Sequence, residues 1–322
     1  MNFKLLKKPN LILLGLFISF SAFAQTTEEA IEAFNSGVTL ASEKNYTDAI
    51  SSYEKCIGIF DEIGENENAQ RLQAIGQIPV LQYKQAISLY KQKKADESIK
   101  AFYTLIDYSK KYENAKYQKK AENIIPKLYY TKGKNELTAK NYELAITNLN
   151  KAVELKPSYG MAYVRLAMVY QEQKDKENFS KAIDNAIATN NTKSVDAAKK
   201  LASSYFSNAA NTALASGKYT EAENLFNTLL KYQDITCEIE YRLASIYNKQ
   251  SKWDEAITAC NKALELFVAE GTTKDAKIYF ELGNAYKGKG DNTAACDAYK
   301  KAAKGDYEEA ANYEIKYTLK CK

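Results

Sequence analysis

The stretch YFELGNAYKGKGDNTAACDAYKKA, Tyr279 to Ala302, decides how the rest of the chain is read. Gly283 is followed twelve residues later by Ala295, then by Tyr299 four further on and Ala302 three beyond that. Steps of four and three keep residues on one face of a helix. The step of twelve carries the chain up one helix, round a short turn and into a second. Two helices approach closely only where small side chains meet, so Gly283 and Ala295 predict a tight helix pair.

The same spacing recurs outward from this stretch. It is clear at Gly37, Ala49, Tyr53 and Cys56, and at Gly133, Ala145, Leu149 and Ala152, the latter followed by Pro157 as a stop. Ala210, Ala222, Phe226 and Leu229 show it again, as do Ala244, Ala256, Cys260 and Ala263. Weaker copies stand at Ala86, Ser98, Phe102, Leu105 and at Ala167, Phe179, Ile183, Ala186, which brings the total to seven. Turns are expected at Glu43-Lys44-Asn45 and Ser216-Gly217-Lys218. Tyr163, Tyr170, Phe206, Tyr247, Tyr279 and Tyr286 lie three or four residues from the small residue of their copy, where they fill space between neighbouring pairs. The expected fold is all-α.

Tyr279, Leu282-Gly283, Tyr286, Ala295, Tyr299 and Ala302 give nearly the whole signature of a tetratricopeptide repeat, which the chain resembles over roughly residues 26 to 304. The resemblance implies an α-solenoid of about seven helix-turn-helix repeats. Only Pro157 holds the closing proline place, and Glu136 and Phe179 stand where Tyr and Ala are expected, so those two repeats are expected to pack less regularly. From Ala49 the equivalent residues fall 49, 47, 34, 43, 34 and 39 apart. The extra residues are expected to lengthen helices or loops between hairpins. The stretch DYEEAANYEIKYTL, from Asp306, has acids first and then apolar residues at helical spacing, as a helix capping the end of a stack would. The expected organisation is a leader over 1–24, a solenoid over 25–305, and a capping helix and tail over 306–322.

The leader is read from Lys4, Lys7 and Lys8, the apolar run Leu11 to Phe20, and Ser21-Ala22-Phe23-Ala24. This is the pattern of a secretory signal peptide, with cleavage expected after Ala24. The run is about half the length that a membrane anchor needs. No cysteine lies near the site, so lipid attachment is not indicated. An exported protein, periplasmic or extracellular, is expected. Removing three lysines and no acid lowers the net charge from +5 to +2.

The chain holds no histidine, which removes the usual acid/base at neutral pH and the commonest metal ligand. It also has no phosphate loop, nucleophile elbow or zinc-ligand pairing. No enzyme activity, cofactor or metal is expected. Arginine occurs only at 71, 165 and 242, and the lysines are interleaved with acids, so nucleic acid is not an expected partner. Of five cysteines, Cys56 and Cys260 occupy packing places. Cys237 and Cys260, and likewise Cys296 and Cys321, miss each other by about four residues, or about 6 Å of helix rise. Free thiols are expected, with Cys296–Cys321 the least improbable bridge.

In tetratricopeptide repeat proteins the first helix of each hairpin lines a concave groove, so the resemblance implies a peptide site on those helices. The groove positions not used for packing include Tyr83, Ile87 and Tyr90, then Tyr130, Lys134 and Leu137, then Val164, Met168 and Gln171. They continue through Asn211, Tyr241, Asn248, Asn284 and Lys287. The candidate peptide contacts are Asn211, Asn248, Asn284, Tyr241, Lys134, Tyr83, Tyr90 and Met168. Asparagine amides can hold a peptide backbone through a paired donor and acceptor, and the apolar positions suit side-chain pockets. The same residues could instead pack against neighbouring helices or merely be solvated. A lysine clamp for an acidic C-terminus is not supported, because Phe34 and Val38 stand where it would begin. The function expected is a scaffold that binds a segment of another envelope protein. The alternative is an assembly component that self-associates or joins a complex through convex surfaces.

Overall fold

In the computed structural model, residues 26–270 and 275–322 are described, and helices follow one another with no strand among them. They are α1 (Thr27–Ser42), α2 (Tyr46–Glu62), α3 (Ala69–Lys91), α4 (Ala95–Lys111), α5 (Ala115–Thr138), α6 (Tyr142–Leu155), α7 (Gly160–Glu172) and α8 (Lys176–Ala188). There follow α9 (Thr192–Ala215), α10 (Tyr219–Leu229), α11 (Cys237–Lys249), α12 (Trp253–Glu270), α13 (Ala276–Lys289), α14 (Asn292–Ala302) and α15 (Glu308–Tyr313). The expected leader lies outside the described residues. Two compact units divide between Ile125 and Pro126, within α5.

The repeat spacing has a direct steric cause. Consecutive helices pair as hairpins, α1 with α2 and α3 with α4 in the first unit, and α7 with α8 through α13 with α14 in the second. A methyl carbon placed on Gly37 would sit 2.8 Å from the Tyr53 ring. On Gly133 it would sit 2.6 Å from Leu149 Cγ, and on Gly283 2.7 Å from the Tyr299 ring. The small residue of the first helix is therefore the seat for the bulky residue sixteen places later on the second. In the second copy Ser98, fully buried, donates its hydroxyl to the Ala86 carbonyl at 2.8 Å, so polar contact replaces part of the packing. Phe179, where the repeat signature has alanine, is fully buried with its ring against those of Tyr205 and Phe206.

Every hairpin turns through a left-handed residue seven places after its small residue. These residues are Lys44, Lys93, Lys140, Lys174, Gly217, Ser251 and Gly290, all with positive φ. Only two of the seven are glycine, the residue that takes this conformation without steric cost. The next residue starts the second helix, and at Asn45, Asp175 and Asp291 its side chain accepts a backbone N–H of the first turn.

The irregular period lies largely in elongated first helices. α3, α5 and α9 have 23, 24 and 24 residues, against 13 for α7 and α11. Pro79 and Pro126 sit inside α3 and α5, each seven residues before the small residue of its repeat, and each removes one donor from the helical ladder. In the first unit α1 touches α3, while in the second α7 touches α9 and α11 touches α13. First helices thus lie side by side, and a pair of them forms a continuous surface.

After α14 the chain makes a 3-10 turn at Gly305–Tyr307, then α15, then a π turn at Glu314–Thr318. Ala311 is fully buried with Ala295, Tyr299 and Ala302. One expectation about cysteine is corrected here, because Cys296 and Cys321 form a disulfide with Cα atoms 5.8 Å apart. A tail that continued as a straight helix would keep the two cysteines about 6 Å apart along its axis. The π turn ends that helix, and the Cys321 N–H then reaches back to the Ile315 carbonyl, which returns Cys321 to α14. Cys56, Cys237 and Cys260 are buried free thiols. Burial pushes Cys56 up to about 11, in keeping with a packing role.

Candidate functional site

The eight candidate peptide contacts do not form one uniform row. In the first unit Tyr83 is half-buried, its ring 5.9 Å from both Phe102 and Tyr117, with the Lys120 ammonium 5.2 Å above it. This tyrosine is a packing residue carrying a cation on its face. Tyr90, near the end of α3, is 40% exposed.

In the second unit Lys134 is exposed on α5, and Met168 is half-buried on α7. The Arg165 guanidinium, held at 3.5 Å from the Tyr130 hydroxyl, donates to the Met168 sulfur at 3.1 Å. Leu137, Met168 and Gln171, all predicted groove positions, line one open cavity of about 320 Å³ together with Leu201, Tyr142, Thr138, Lys140 and Glu172. Its apolar floor comes from three first helices, α5, α7 and α9. Its rim carries one cation and one carboxylate. The spacing of α9 gave no reason to include Leu201, because that residue belongs to the elongated part of the helix.

The asparagines separate. Asn211 is exposed on α9. Asn248 and Asn284 are half-buried and meet at Glu281, a residue the sequence did not single out. Asn248 donates to the Glu281 carbonyl at 2.9 Å and to its carboxylate at 2.7 Å, and Asn284 donates to the same carboxylate at 3.3 Å. Asn284 also accepts from the Tyr299 hydroxyl at 2.8 Å. These contacts take up the donors that a bound backbone would use, while the Asn248 carbonyl oxygen is buried without a partner. Glu281 thereby converts two rungs of the expected ladder into an internal network.

Tyr241 is half-buried on α11. Its hydroxyl lies 3.4 Å from that of Tyr307, and the Lys277 ammonium lies 4.5 Å over its ring. Burial, then the hydrogen bond to Tyr307, hold the phenol well above its ordinary value. Lys277 also pairs with Glu238, which in turn pairs with Arg242 at 2.7 Å. Among the described residues no group of three His, Cys, Asp or Glu is placed to hold a metal, and no helix is long and apolar enough to cross a membrane.

Models of the tetratricopeptide repeat match residues 33–62 and 126–159, residues 81–111, and residues 235–308. These ranges cover the first three hairpins and the last two, and they omit two, α7 with α8, where Phe179 replaces the small residue, and α9 with α10. No curated protein sequence matches the chain. Among solved structures, the TPR domain of P58(IPK) is 15% identical, with 91% of this chain and 97% of that chain covered and a TM-score of 0.32. A tetratricopeptide repeat protein from Parabacteroides merdae is 14% identical, over 91% of this chain and 99% of that one, with a TM-score of 0.29. YrrB, described as a TPR protein with an unusual peptide-binding site, is 15% identical, over 54% and 83% of the two chains, with a TM-score of 0.31. The family is generally non-catalytic, and its fold supports a protein–protein interaction scaffold. Seven hairpins of one steric plan and the repeats matched by sequence establish that this chain belongs to the tetratricopeptide repeat family.

Proposed function

We propose that the protein is an exported, non-enzymatic scaffold that holds a segment or helix of a partner protein on the face made by its first helices. The observation that carries this reading is the cavity around Met168. Three groove positions read from sequence on two different helices converge there, with Leu201, on a space large enough for an apolar side chain. Methionine adapts its shape to what it packs against. The Lys140 and Glu172 rim offers charge to the polar flanks of such a residue. Export rests on the basic start, the short apolar run and the Ala22-Phe23-Ala24 site. A mature chain beginning at Gln25 outside the cytoplasm is its direct test.

The binding test places a charge in the cavity. Met168→Glu and Leu201→Glu are expected to abolish capture of the partner from the native envelope, with the helical melting curve preserved. Leu144→Glu, at a site 54% exposed on the second helix α6, is the control and is expected to leave capture intact. Equal capture by all three variants would reject the cavity as a site.

A second reading, self-association, is favoured by one observation. Tyr313 and Tyr317 are 60% and 68% exposed with ring centroids 5.4 Å apart on the C-terminal segment. Concentration-dependent mass in solution, lost in Tyr313→Ser/Tyr317→Ser, would support it.

A further inference from the structure

The C-terminal segment packs α15 on the second helix α14, with Ala311 buried against Ala295, Tyr299 and Ala302, and from there it reaches the face of the last two first helices through two side chains. Three residues of the first-helix face, Tyr241, Phe280 and Lys287, touch the segment. The Tyr307 hydroxyl meets that of Tyr241 on α11, and its ring lies 5.3 Å from Phe280 on α13. Seven residues later, Glu314 pairs with Lys287 on α13 at 2.8 Å. Lys304, at the entry to the segment, pairs with Asp275 at 2.7 Å. A cavity of about 530 Å³, lined by Asp275, Lys277, Lys304, Asp306 and Tyr307, leaves one side of the segment open.

We propose that Gly305–Thr318 is the resident occupant of this end of the groove, and that a partner segment binds there by displacing it. The tail defines the chemistry of that partner: a helical segment bearing an aromatic residue and, seven residues on, a carboxylate. The ring enters between Tyr241 and Phe280, and the carboxylate takes Lys287. This inference rests on the reading of the first-helix face as a peptide site, but it concerns α11 and α13 and not the Met168 cavity.

A tethered occupant competes at an effective concentration in the millimolar range. The Cys296–Cys321 disulfide strengthens that competition, since it ties the residues that follow the segment back to α14. Chains whose tail is held should therefore bind an external segment at least about tenfold more weakly than chains whose tail is freed.

The test uses the full mature chain and, as probe, a labelled synthetic peptide with the sequence of residues 304–319. Four proteins are compared: wild type with its disulfide intact, Cys296→Ser/Cys321→Ser, the same pair with Tyr307→Ala, and that triple variant with Tyr241→Ala and Lys287→Glu. Binding measured by fluorescence anisotropy is expected to rise in that order over the first three proteins, by at least tenfold in total. It is expected to vanish in the fourth. A swapped dimer of the freed variants, seen by light scattering, would show the same groove filled by a second copy and supports the proposal. Equal affinity in all four proteins would overturn it. So would no binding in any when hydrogen exchange over 308–318 shows the tail released in the variants; where exchange shows it still held, the wild-type exchange experiment below decides. Should the variants fail to fold, the wild type alone decides. Excess probe must accelerate exchange over 308–318, and a probe carrying Tyr307→Ala must not; unchanged exchange overturns the proposal. Loss of partner capture in Met168→Glu with normal probe binding here separates failure of one site from failure of the other.

Discussion

Replacing glycine by alanine should have opposite signs at two classes of helical position in this chain. Inside a helix the change is worth about 0.5–1 kcal/mol in favour of alanine, because glycine loses more backbone freedom on folding. At Gly58, exposed in α2 with nothing within 4 Å of the added methyl, that gain should appear undiminished. At Gly133 the methyl carbon would lie 2.6 Å from Leu149 Cγ and 3.1 Å from the Ala145 carbonyl oxygen. At Gly283 it would lie 2.7 Å from the ring of Tyr299, which is fully buried and has nowhere to turn. Carbon atoms pack best at about 3.5–4.0 Å, so each overlap is about 1 Å and the helices must separate. Overpacking of this size costs about 1–3 kcal/mol, which exceeds the propensity gain. Gly133→Ala and Gly283→Ala should therefore destabilise by about 0.5–2 kcal/mol while Gly58→Ala stabilises. Repeat proteins unfold by local units, so urea titration of helical circular dichroism should be paired with hydrogen exchange on the affected hairpin. If all three variants shift stability in the same direction by similar amounts, the small residues are not the seats of the helix pairs.

Lys44→Gly, Lys93→Gly, Lys140→Gly and Lys174→Gly should each stabilise by a few tenths to about 1 kcal/mol in urea titration, since each relieves a side chain held at positive φ. Ser98→Ala should cost about 1 kcal/mol by the same measurement, through loss of the buried bond to Ala86. Tyr53, Tyr170, Tyr205 and Tyr247 are held above their ordinary value of 10.0 chiefly by burial, and Tyr232 is pushed up to about 12 by burial and Asp184. In the unfolded chain these phenols ionise near pH 10 while the folded ones keep their protons, so melting temperature should be flat up to about pH 9 and fall from about pH 10 to 12. Truncation after Lys304 should lower the melting of the α13–α14 hairpin more than the loss of 18 residues would suggest from length alone, because it uncovers Ala295, Tyr299 and Ala302; an unchanged curve would deny the segment a capping role.

The hairpins were legible because their cause is local and repeated. A small residue and its bulky partner sixteen places on are a fixed interval wherever two helices are joined by the same turn. The left-handed turn residue was not legible, since Lys occupies it in four of seven hairpins and carries no signal that glycine would. The elongation of α3, α5 and α9 changed the period without changing the spacing within each hairpin, so Leu201 could not be assigned to the Met168 cavity from its own repeat. Asn248 and Asn284 were recognised as facing the groove, but Glu281 binds their amides, and an acid one turn from its partner reads in sequence as surface charge. The disulfide was not legible for a similar reason: neither the π turn nor the left-handed Lys320 after it has a sequence mark here, and together they turn Cys321 back to Cys296.

The most direct test of the functional account is site-specific photo-crosslinking in cells that express the protein. A photoreactive side chain is placed at Met168 in one chain and at Leu144 in another, and each adduct is mapped by mass spectrometry. The account predicts a discrete adduct from position 168, always to the same segment of one partner, and none from position 144. A partner segment crosslinked from Leu144 and not from Met168 would contradict it and place recognition on the second helices.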